Sequence, residues 1–299
     1  SNIFLIIIFS ISGITFTSFT DIPHFEFNQL AINATFLSCV LPESISLPII
    51  KIAAFTFLFF FSIDCQLYMN FENKLLSGVF IKRYKRFFVD VKINGKTVVA
   101  HCPNTGSMLG LLKEGNKVWV TKSNNPKRKL KYTLQIIEDN GSKVGVNTHL
   151  TNKIVLEALE NNYIKDLGKN VEIRSEVKFG ENTRFDFLVT EKNYKTFIEV
   201  KNVTLSRNQY IAEFPDAITT RGSKHINELI KASKKGYKIY IAYIIQREDC
   251  KKFVLASDID PEYSKLLSKA VKKKLNILCY DCKFSLKGIK LNNKIKYII

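Results

Sequence analysis

The sequence has few sulfur-containing residues and no apolar run long enough to cross a membrane. Its six cysteines are irregularly spaced in 299 residues, which is typical of reduced cytoplasmic thiols and not of a disulfide framework. Cys279 and Cys282 form a lone CxxC pair without a second pair or a well-spaced histidine, so we do not expect zinc there. A late strand that carries two buried thiols is expected instead.

Residues 1–68 are an apolar extension without the features of a membrane or secretory signal. The stretch Ile49 to Ile63 contains Lys51 and is shorter than the ~20 residues that span a bilayer. The run Ile3 to Phe9 lacks the positively charged region that begins a secretory signal. Only two methionines occur, and the composition changes at one of them, Met69. We therefore expect translation to start at Met69, with a hydrophobic anchor or targeting extension as the alternative.

Acidic residues are outnumbered by basic ones in the rest of the chain. The net charge is +18, yet residues 1–70 contain one basic residue against four acidic ones, so the basic excess begins near residue 71. Clustered Lys and Arg side chains indicate a polyanion as partner, because they release the counterions condensed on phosphates. We expect DNA, with RNA as a further alternative and no membrane partner. A lysine content raised by an AT-rich genome is the competing explanation.

Short strands and turns dominate residues 71–147, with no long helical period. Asn94-Gly95 and Asn140-Gly141 are strong hairpin signals. The pattern predicts a small β-barrel of the OB type, a fold whose open face binds single-stranded nucleic acid. The candidate strands are Val79 to Tyr84, Phe87 to Ile93, Thr97 to His101, Lys117 to Lys122, Tyr132 to Glu138 and Lys143 to Val146.

Two basic clusters in this predicted barrel are interleaved with aromatic residues. Cations bind phosphates and rings stack on bases, so we expect both clusters to contact nucleic acid. A solvated basic edge is the alternative for each. The first cluster is Lys82, Arg83, Tyr84, Lys85 and Arg86, followed by Phe87, and the second is Lys127, Arg128 and Lys129.

After Asn147 the apolar period changes, and residues 148–285 predict an αβββαβ core with an added αβ unit. Asn152 is the expected cap of the first helix, and the helix from Ser223 to Lys235 is expected to carry Lys224 and His225 on its outer side. Residues 286–299 are left as a C-terminal tail. The remaining predicted elements are a helix to about Asn162, strands Val171 to Phe179, Tyr237 to Gln246 and Ile277 to Cys282, and a helix Pro261 to Lys274.

Between these elements, two alternating strands joined by a polar loop bring Asp186 together with Glu199 and Lys201. Two carboxylates supply hard oxygen ligands for Mg²⁺ or Mn²⁺, and a lysine on the same face can orient water or stabilise charge on a phosphate. The pattern resembles that of the PD-(D/E)XK nuclease superfamily. A solvated hairpin face with the same residue types is the alternative. The residues expected on the strand face opposite Asp186 are Phe185, Phe187 and Val189.

Several ordered motifs resemble the sugar fermentation stimulation protein A family, from Phe71 to about Phe284. The motifs are Lys82 to Phe87, His101 to Met108, Asn125 to Lys129, Gly145 to Thr148, Glu199 to Thr204, Phe214 to Ala217 and Arg221 to His225. The resemblance implies a bacterial-type cytosolic DNA-binding protein with an OB-like domain and a domain related to PD-(D/E)XK nucleases. Thr219-Thr220 departs from the Thr-Glu pair that we expect at that position.

Mapped through this resemblance, the nuclease-like site would be Asp186, Glu199 and Lys201. Glu157 or Glu176 would be a further metal ligand. Two functions follow as alternatives: a DNA-binding regulator without chemistry, and a nuclease dependent on Mg²⁺ or Mn²⁺. In the second, the basic clusters and two residues of the later helix, Arg221 and Lys224, would hold the DNA backbone.

Overall fold

The computed structural model describes residues 7–11, 14–18, 69–181 and 183–299, and the chain divides into two compact units. In the unit Ser1–Cys65, strands β1 (Ile7–Ile11) and β2 (Ile14–Ser18) form an antiparallel hairpin. The apolar stretch at 49–63 lies outside the described residues. Within the described part of the chain, no helix is both long enough and apolar enough to span a bilayer.

The unit Gln66–Ile299 begins with the short strand β3 (Met69–Asn70) and continues into an OB barrel. Its strands are β4 (Leu75–Tyr84), β5 (Phe88–Ile93), β6 (Lys96–His101), β7 (Lys117–Lys122), β8 (Tyr132–Asp139) and β9 (Ser142–Gly145). Parallel pairing of β6 with β8, at Ala100↔Tyr132 and His101↔Thr133, closes β4 to β8 into a barrel. The predicted small barrel is therefore confirmed.

Both Asn-Gly dipeptides make the hairpin turns that the sequence indicates. Asn94 and Gly95 have φ values of 47° and 80°, and Asn140 and Gly141 have 49° and 79°. Positive φ at both central residues is the requirement of a type I′ turn, which matches the twist of the flanking strands. These turns fix the registers of β5 with β6 and of β8 with β9.

The rest of the unit is a mixed α+β domain that contains the predicted αβββαβ core, with two short additional strands between its third strand and its second helix. Its helices are α1 (Thr151–Glu160), α2 (Thr220–Lys234) and α3 (Pro261–Lys272). Its strands are β10 (Glu172–Phe179), β11 (Thr183–Glu191), β12 (Tyr194–Val203), β13 (Leu205–Asn208), β14 (Ile211–Phe214), β15 (Lys238–Ile245), β16 (Lys252–Leu255), β17 (Leu275–Phe284), β18 (Gly288–Lys294) and β19 (Lys296–Ile298).

A seven-stranded sheet in the order β10-β11-β12-β15-β17-β18-β3 is the centre of this domain. Strands β12, β15 and β17 are parallel, and the outer strands are antiparallel. Helix α1 packs on one face, while α2 and α3 cover the other. Burial on both faces explains the near-continuous apolar sequence of β15. The predicted strand with two buried thiols is β17, where Cys279 and Cys282 are both buried.

Three local features differ from the sequence-based predictions. Asn147, and not Asn152, caps the chain here: its side chain accepts from the His149 amide in a short 3-10 turn that leads into α1. Phe185 packs with Phe197 on the α2 side, with ring centroids 4.8 Å apart, and not on the face of Phe187. Residues 286–299 do not form a loose tail but contribute strands β18 and β19.

A distortion of β10 accompanies the changed orientation of Phe185. The pairing of β10 with β11 passes from Ser175↔Phe187 to Val177↔Phe185, and Glu176 between them has a φ of 55°. A left-handed backbone at a residue with a side chain costs free energy and locally rotates the strand pair. The alternation rule therefore fails at this point of the hairpin.

Candidate active site

Asp186 and Glu199 lie at the start of the divergence between β11 and β12. The last paired residues on that side are Phe187 and Ile198, so Asp186 and Glu199 are the next residues along each strand. The Asp186 carboxylate accepts one hydrogen bond from Asn152 Nδ2, at 2.8 Å, and one from the Val200 amide, at 2.7 Å. Helix α1 and strand β12 thus both hold the Asp186 carboxylate in position.

Glu199 is a buried carboxylate with an uneven set of partners. It is 3% exposed, and its Oε1 accepts from Lys201 Nζ at 2.6 Å and lies 2.5 Å from His225 Nδ1. Its Oε2 is also buried and has no hydrogen-bond partner. The alternative interpretation, a solvated hairpin face, is therefore wrong, since a solvated face leaves its carboxylates exposed.

His225 is a site residue that sequence reasoning placed on the outer side of its helix. It is instead 7% exposed and directed at Glu199 from the second turn of α2. The available signal was its place in the motif Arg221 to His225. Helical periodicity alone does not distinguish a histidine that faces a carboxylate of the underlying sheet from one that faces water.

The environments of the two carboxylates move their pKa values in opposite directions. Burial and the nearby charge of Glu199 raise the pKa of Asp186 to about 6. For Glu199, burial works to raise the pKa, but Lys201 and His225 outweigh it and hold the pKa below its usual value. A pair of carboxylates with separated pKa values is a feature of functional sites, where one charge is retained at the expense of another.

These two carboxylates fit a divalent cation. A cation would give the buried Oε2 of Glu199 a partner and would offset the burial and the nearby charge of Glu199 that raise the pKa of Asp186. Among the described residues no group of three or more His, Cys, Asp and Glu residues has metal-binding geometry. One or two carboxylates are nevertheless the usual protein share of a Mg²⁺ site, with water and substrate phosphates as the other ligands.

Neither additional ligand implied by the family resemblance joins this pair. Glu157 lies on α1 near the Met69 amide and Lys290, at the β18–β3 edge of the sheet, where burial raises its pKa to about 7. Glu176 is exposed on β10 and forms an ion pair with Arg184 at 3.6 Å. Asp186 and Glu199 are therefore the carboxylates that the fold brings together.

The first basic cluster of the barrel contains one residue with a structural task. The Arg83 guanidinium donates to the carbonyl oxygens of Asn104, at 2.7 Å, Gly106, at 3.0 Å, and Ser107, at 3.3 Å. These bonds support the loop after β6 and leave Arg83 little capacity for phosphates. Lys85 and Arg86, by contrast, are exposed in a tight turn with positive φ values.

Aromatic side chains beside this turn form two stacked pairs. Tyr84 stacks on Phe88 with ring centroids 5.5 Å apart, and Lys82 Nζ lies 5.9 Å from the Tyr84 ring. Phe87 is 42% exposed and stacks on His101. An exposed ring next to cations is the arrangement by which OB domains hold bases.

The second basic cluster approaches the same end of the barrel. Arg128 donates to Thr133 Oγ1 at 2.6 Å, while Lys127 and Lys129 are exposed. Burial, followed by the charges of Arg128 and His149, lowers the pKa of His101. Phe87, which follows the first cluster, and Arg128 of the second cluster therefore both lie near His101, which the sequence did not reveal.

The two residues predicted to hold DNA from the second domain lie on the first turns of α2. Arg221 and Lys224 are both exposed. The loop before this helix contacts the barrel through Asp216, whose carboxylate accepts from Ser107 Oγ at 3.0 Å and from the Met108 amide at 3.1 Å. Thus the segments that carry the motifs His101 to Met108 and Phe214 to Ala217 are joined in space.

Comparison with known proteins gives consistent matches along the second compact unit. Residues 81–146 match the SfsA N-terminal OB domain, and residues 149–288 match the sugar fermentation stimulation protein RE domain. A sugar fermentation stimulation protein homolog of Pelagibacter ubique is 55% identical over 230 residues, covering 77% of this chain and 99% of that protein. The homolog of Pseudoalteromonas atlantica is 42% identical over 235 residues, covering 77% of this chain and all of that protein.

A solved structure is similar over the same part of the chain. It is SfsA of Pyrococcus furiosus in complex with Ca²⁺, with a TM-score of 0.71 and 27% sequence identity. The similarity covers 78% of this chain and 99% of that one.

Proposed function

Since the chain belongs to the sugar fermentation stimulation protein family, we propose that it binds DNA and hydrolyses phosphodiester bonds at a divalent-cation site formed by Asp186 and Glu199. One observation carries the proposal: a buried carboxylate oxygen of Glu199 lacks any hydrogen-bond partner beside a second carboxylate whose pKa is raised. Such a site is costly to fold unless a cation satisfies it. The cost is consistent with a functional role.

The residues present fit the chemistry of phosphodiester hydrolysis. A bound Mg²⁺ or Mn²⁺ would lower the pKa of a water molecule and neutralise charge on the phosphate. Lys201, whose side chain is 14% exposed, places a cation beside Glu199 and can stabilise charge on the scissile phosphate. His225 and Asn152 hold Glu199 and Asp186 from two helices on opposite faces of the sheet, which fixes the spacing of the carboxylates.

The structure of a similar protein supports the proposal of a divalent-cation site. The related Pyrococcus furiosus structure was solved as a complex with Ca²⁺, an ion that also prefers hard oxygen ligands. Asp186 and Glu199 supply such oxygens in this chain.

DNA binding without cleavage is the second candidate. The exposed Phe87 ring, the Lys85-Arg86 turn and the Lys127 to Lys129 loop form a nucleic-acid surface that does not involve the carboxylates. A regulator would use this surface alone. The two candidates differ in the dependence of cleavage on a divalent cation and on Glu199.

Replacing two exposed lysines of the second basic cluster is expected to weaken DNA binding and its dependence on salt. In the double variant Lys127→Gln and Lys129→Gln, the slope of log affinity against log salt should decrease by about 2, because each phosphate contact releases about one counterion. Fluorescence anisotropy with labelled DNA over a range of salt concentrations measures this slope.

The matched control replaces two exposed lysines at the end of α3. The double variant Lys272→Gln and Lys273→Gln has the same change in net charge at a position far from the barrel in sequence. Equal salt slopes for both double variants would count against the barrel as the DNA-binding surface.

A further inference from the structure

Ile218 is the most exposed large apolar side chain in the described part of the chain, at 76%. It lies in the loop between β14 and α2, next to the N-cap residue Thr219. Isolated surface isoleucines are ordinary in folded proteins. This one is unusual because of its position and because of the rigidity of the chain on both sides.

Helix capping does not account for an isoleucine at this position. An apolar residue before the N-cap commonly packs on the fourth residue of the helix and fixes the direction of the chain. Here that fourth residue is Ser223, which offers no apolar surface, and Ile218 remains exposed. The loop therefore gains no packing energy from the Ile218 side chain.

The backbone on each side of Ile218 is fastened to other parts of the fold. On one side, Asp216 accepts from Ser107 Oγ and from the Met108 amide of the barrel. On the other, the Thr219 amide donates to Asp260 Oδ2 at 2.8 Å, and Thr219 Oγ1 accepts from the Gly222 amide at 3.1 Å. Ile218 is thus an apolar side chain held outward on a fixed support.

This support ends at the candidate active site. His225, which contacts Glu199, lies five residues after the first residue of α2, Thr220, a rise of about 8 Å at 1.5 Å per residue, and Ile218 precedes the helix by two residues. The exposed cation Arg221 lies between them on the first turn. The apolar Ile218 thus precedes α2, the cation Arg221 lies on its first turn, and His225 on its second turn contacts Glu199.

We propose that Ile218 is a wedge that packs against an unstacked base at a DNA end or fork and so directs one strand toward Asp186 and Glu199. The inference deepens the proposed function, because it names DNA with a single-strand to double-strand transition as the substrate class. Apolar side chains inserted at base steps unstack them, and neighbouring cations hold the adjoining phosphates. The basic charge of the chain favours DNA over an apolar protein partner as the occupant.

The test compares Ile218→Ser with the control Leu286→Ser in the full-length protein. Leu286 is also strongly exposed, at 63%, in the turn between β17 and β18, so both variants should keep the melting temperature of the unaltered protein. The probe is a forked duplex with 2-aminopurine at the junction, whose fluorescence rises when the base unstacks. We measure affinity and fluorescence in Ca²⁺ to avoid cleavage.

Ile218→Ser should abolish the fluorescence increase and weaken binding to the fork by about tenfold, the scale set by burying one isoleucine side chain. Ile218→Phe should keep the increase, and Leu286→Ser should behave as the unaltered protein. Normal fork binding and fluorescence in Ile218→Ser would overturn the wedge and leave the proposed function standing. Failure of the unaltered protein to bind any DNA would overturn both.

Discussion

Replacement of Lys201 by alanine is expected to lower DNA cleavage about 10²- to 10³-fold while DNA binding and cation binding persist. Lys201 Nζ lies 2.6 Å from Glu199 Oε1, so its charge sits beside the carboxylates where charge on the phosphate would develop. The phosphate contacts that we propose for the barrel would supply affinity without this residue. Single-turnover cleavage of labelled DNA in Mn²⁺, with anisotropy for binding, separates the two effects.

Lys195→Ala is the matched control for this variant. Lys195 is an exposed lysine near the start of the same strand, β12, and pairs with Thr190 in the ladder. It should cleave DNA at the unaltered rate. Equal cleavage by Lys201→Ala would show that this lysine has no part in the chemistry.

Replacement of Gly145 by alanine is expected to destabilise the protein by about 3 kcal/mol. A Cβ at this position would lie 2.2 Å from Gln246 Oε1 and 3.1 Å from the Phe284 ring. Gln246 is fully buried and donates to Thr151 Oγ1 and Asn202 Oδ1, so it cannot move aside without losing these bonds. Urea unfolding followed by circular dichroism measures the loss.

The control for this prediction is Gly141→Asn in the preceding turn. Gly141 has no neighbouring atom within 4 Å of a built Cβ, and asparagine tolerates its positive φ. The control should change the free energy of unfolding by less than about 1 kcal/mol. A similarly small change for Gly145→Ala would show that the contact between β9 and Gln246 yields easily and that the barrel is loosely joined to the sheet.

Local patterns in the sequence predicted much of the fold, because they arise from interactions between close neighbours. Asn94-Gly95 and Asn140-Gly141 specify their turns through backbone conformation alone. The near-continuous apolar run of β15 follows from burial on both faces of the sheet. Asp186, Glu199 and Lys201 could be identified because a hairpin brings them together over a short stretch of chain.

The partners of these residues come from distant parts of the chain, and no local pattern in the sequence indicates them. The sequence predicts Asn152 as a helix cap and His225 as a surface residue, yet each contacts a carboxylate of the sheet from a helix packed on it. In the sequence, Arg83 cannot be distinguished from a phosphate-binding arginine. In the structure its donors are engaged by carbonyl groups of a loop some twenty residues away. Only tertiary packing decides between such roles.

The most direct test of the account is calorimetric titration of the protein with Mn²⁺, with Glu199→Gln as the test variant. Glutamine keeps the shape of Glu199 and removes its charge, so the unaltered protein should bind Mn²⁺ saturably and the variant at least about tenfold more weakly. Glu157→Gln removes a carboxylate away from the site and should bind as the unaltered protein does. Equal Mn²⁺ affinity in Glu199→Gln and the unaltered protein would contradict a cation site at Asp186 and Glu199.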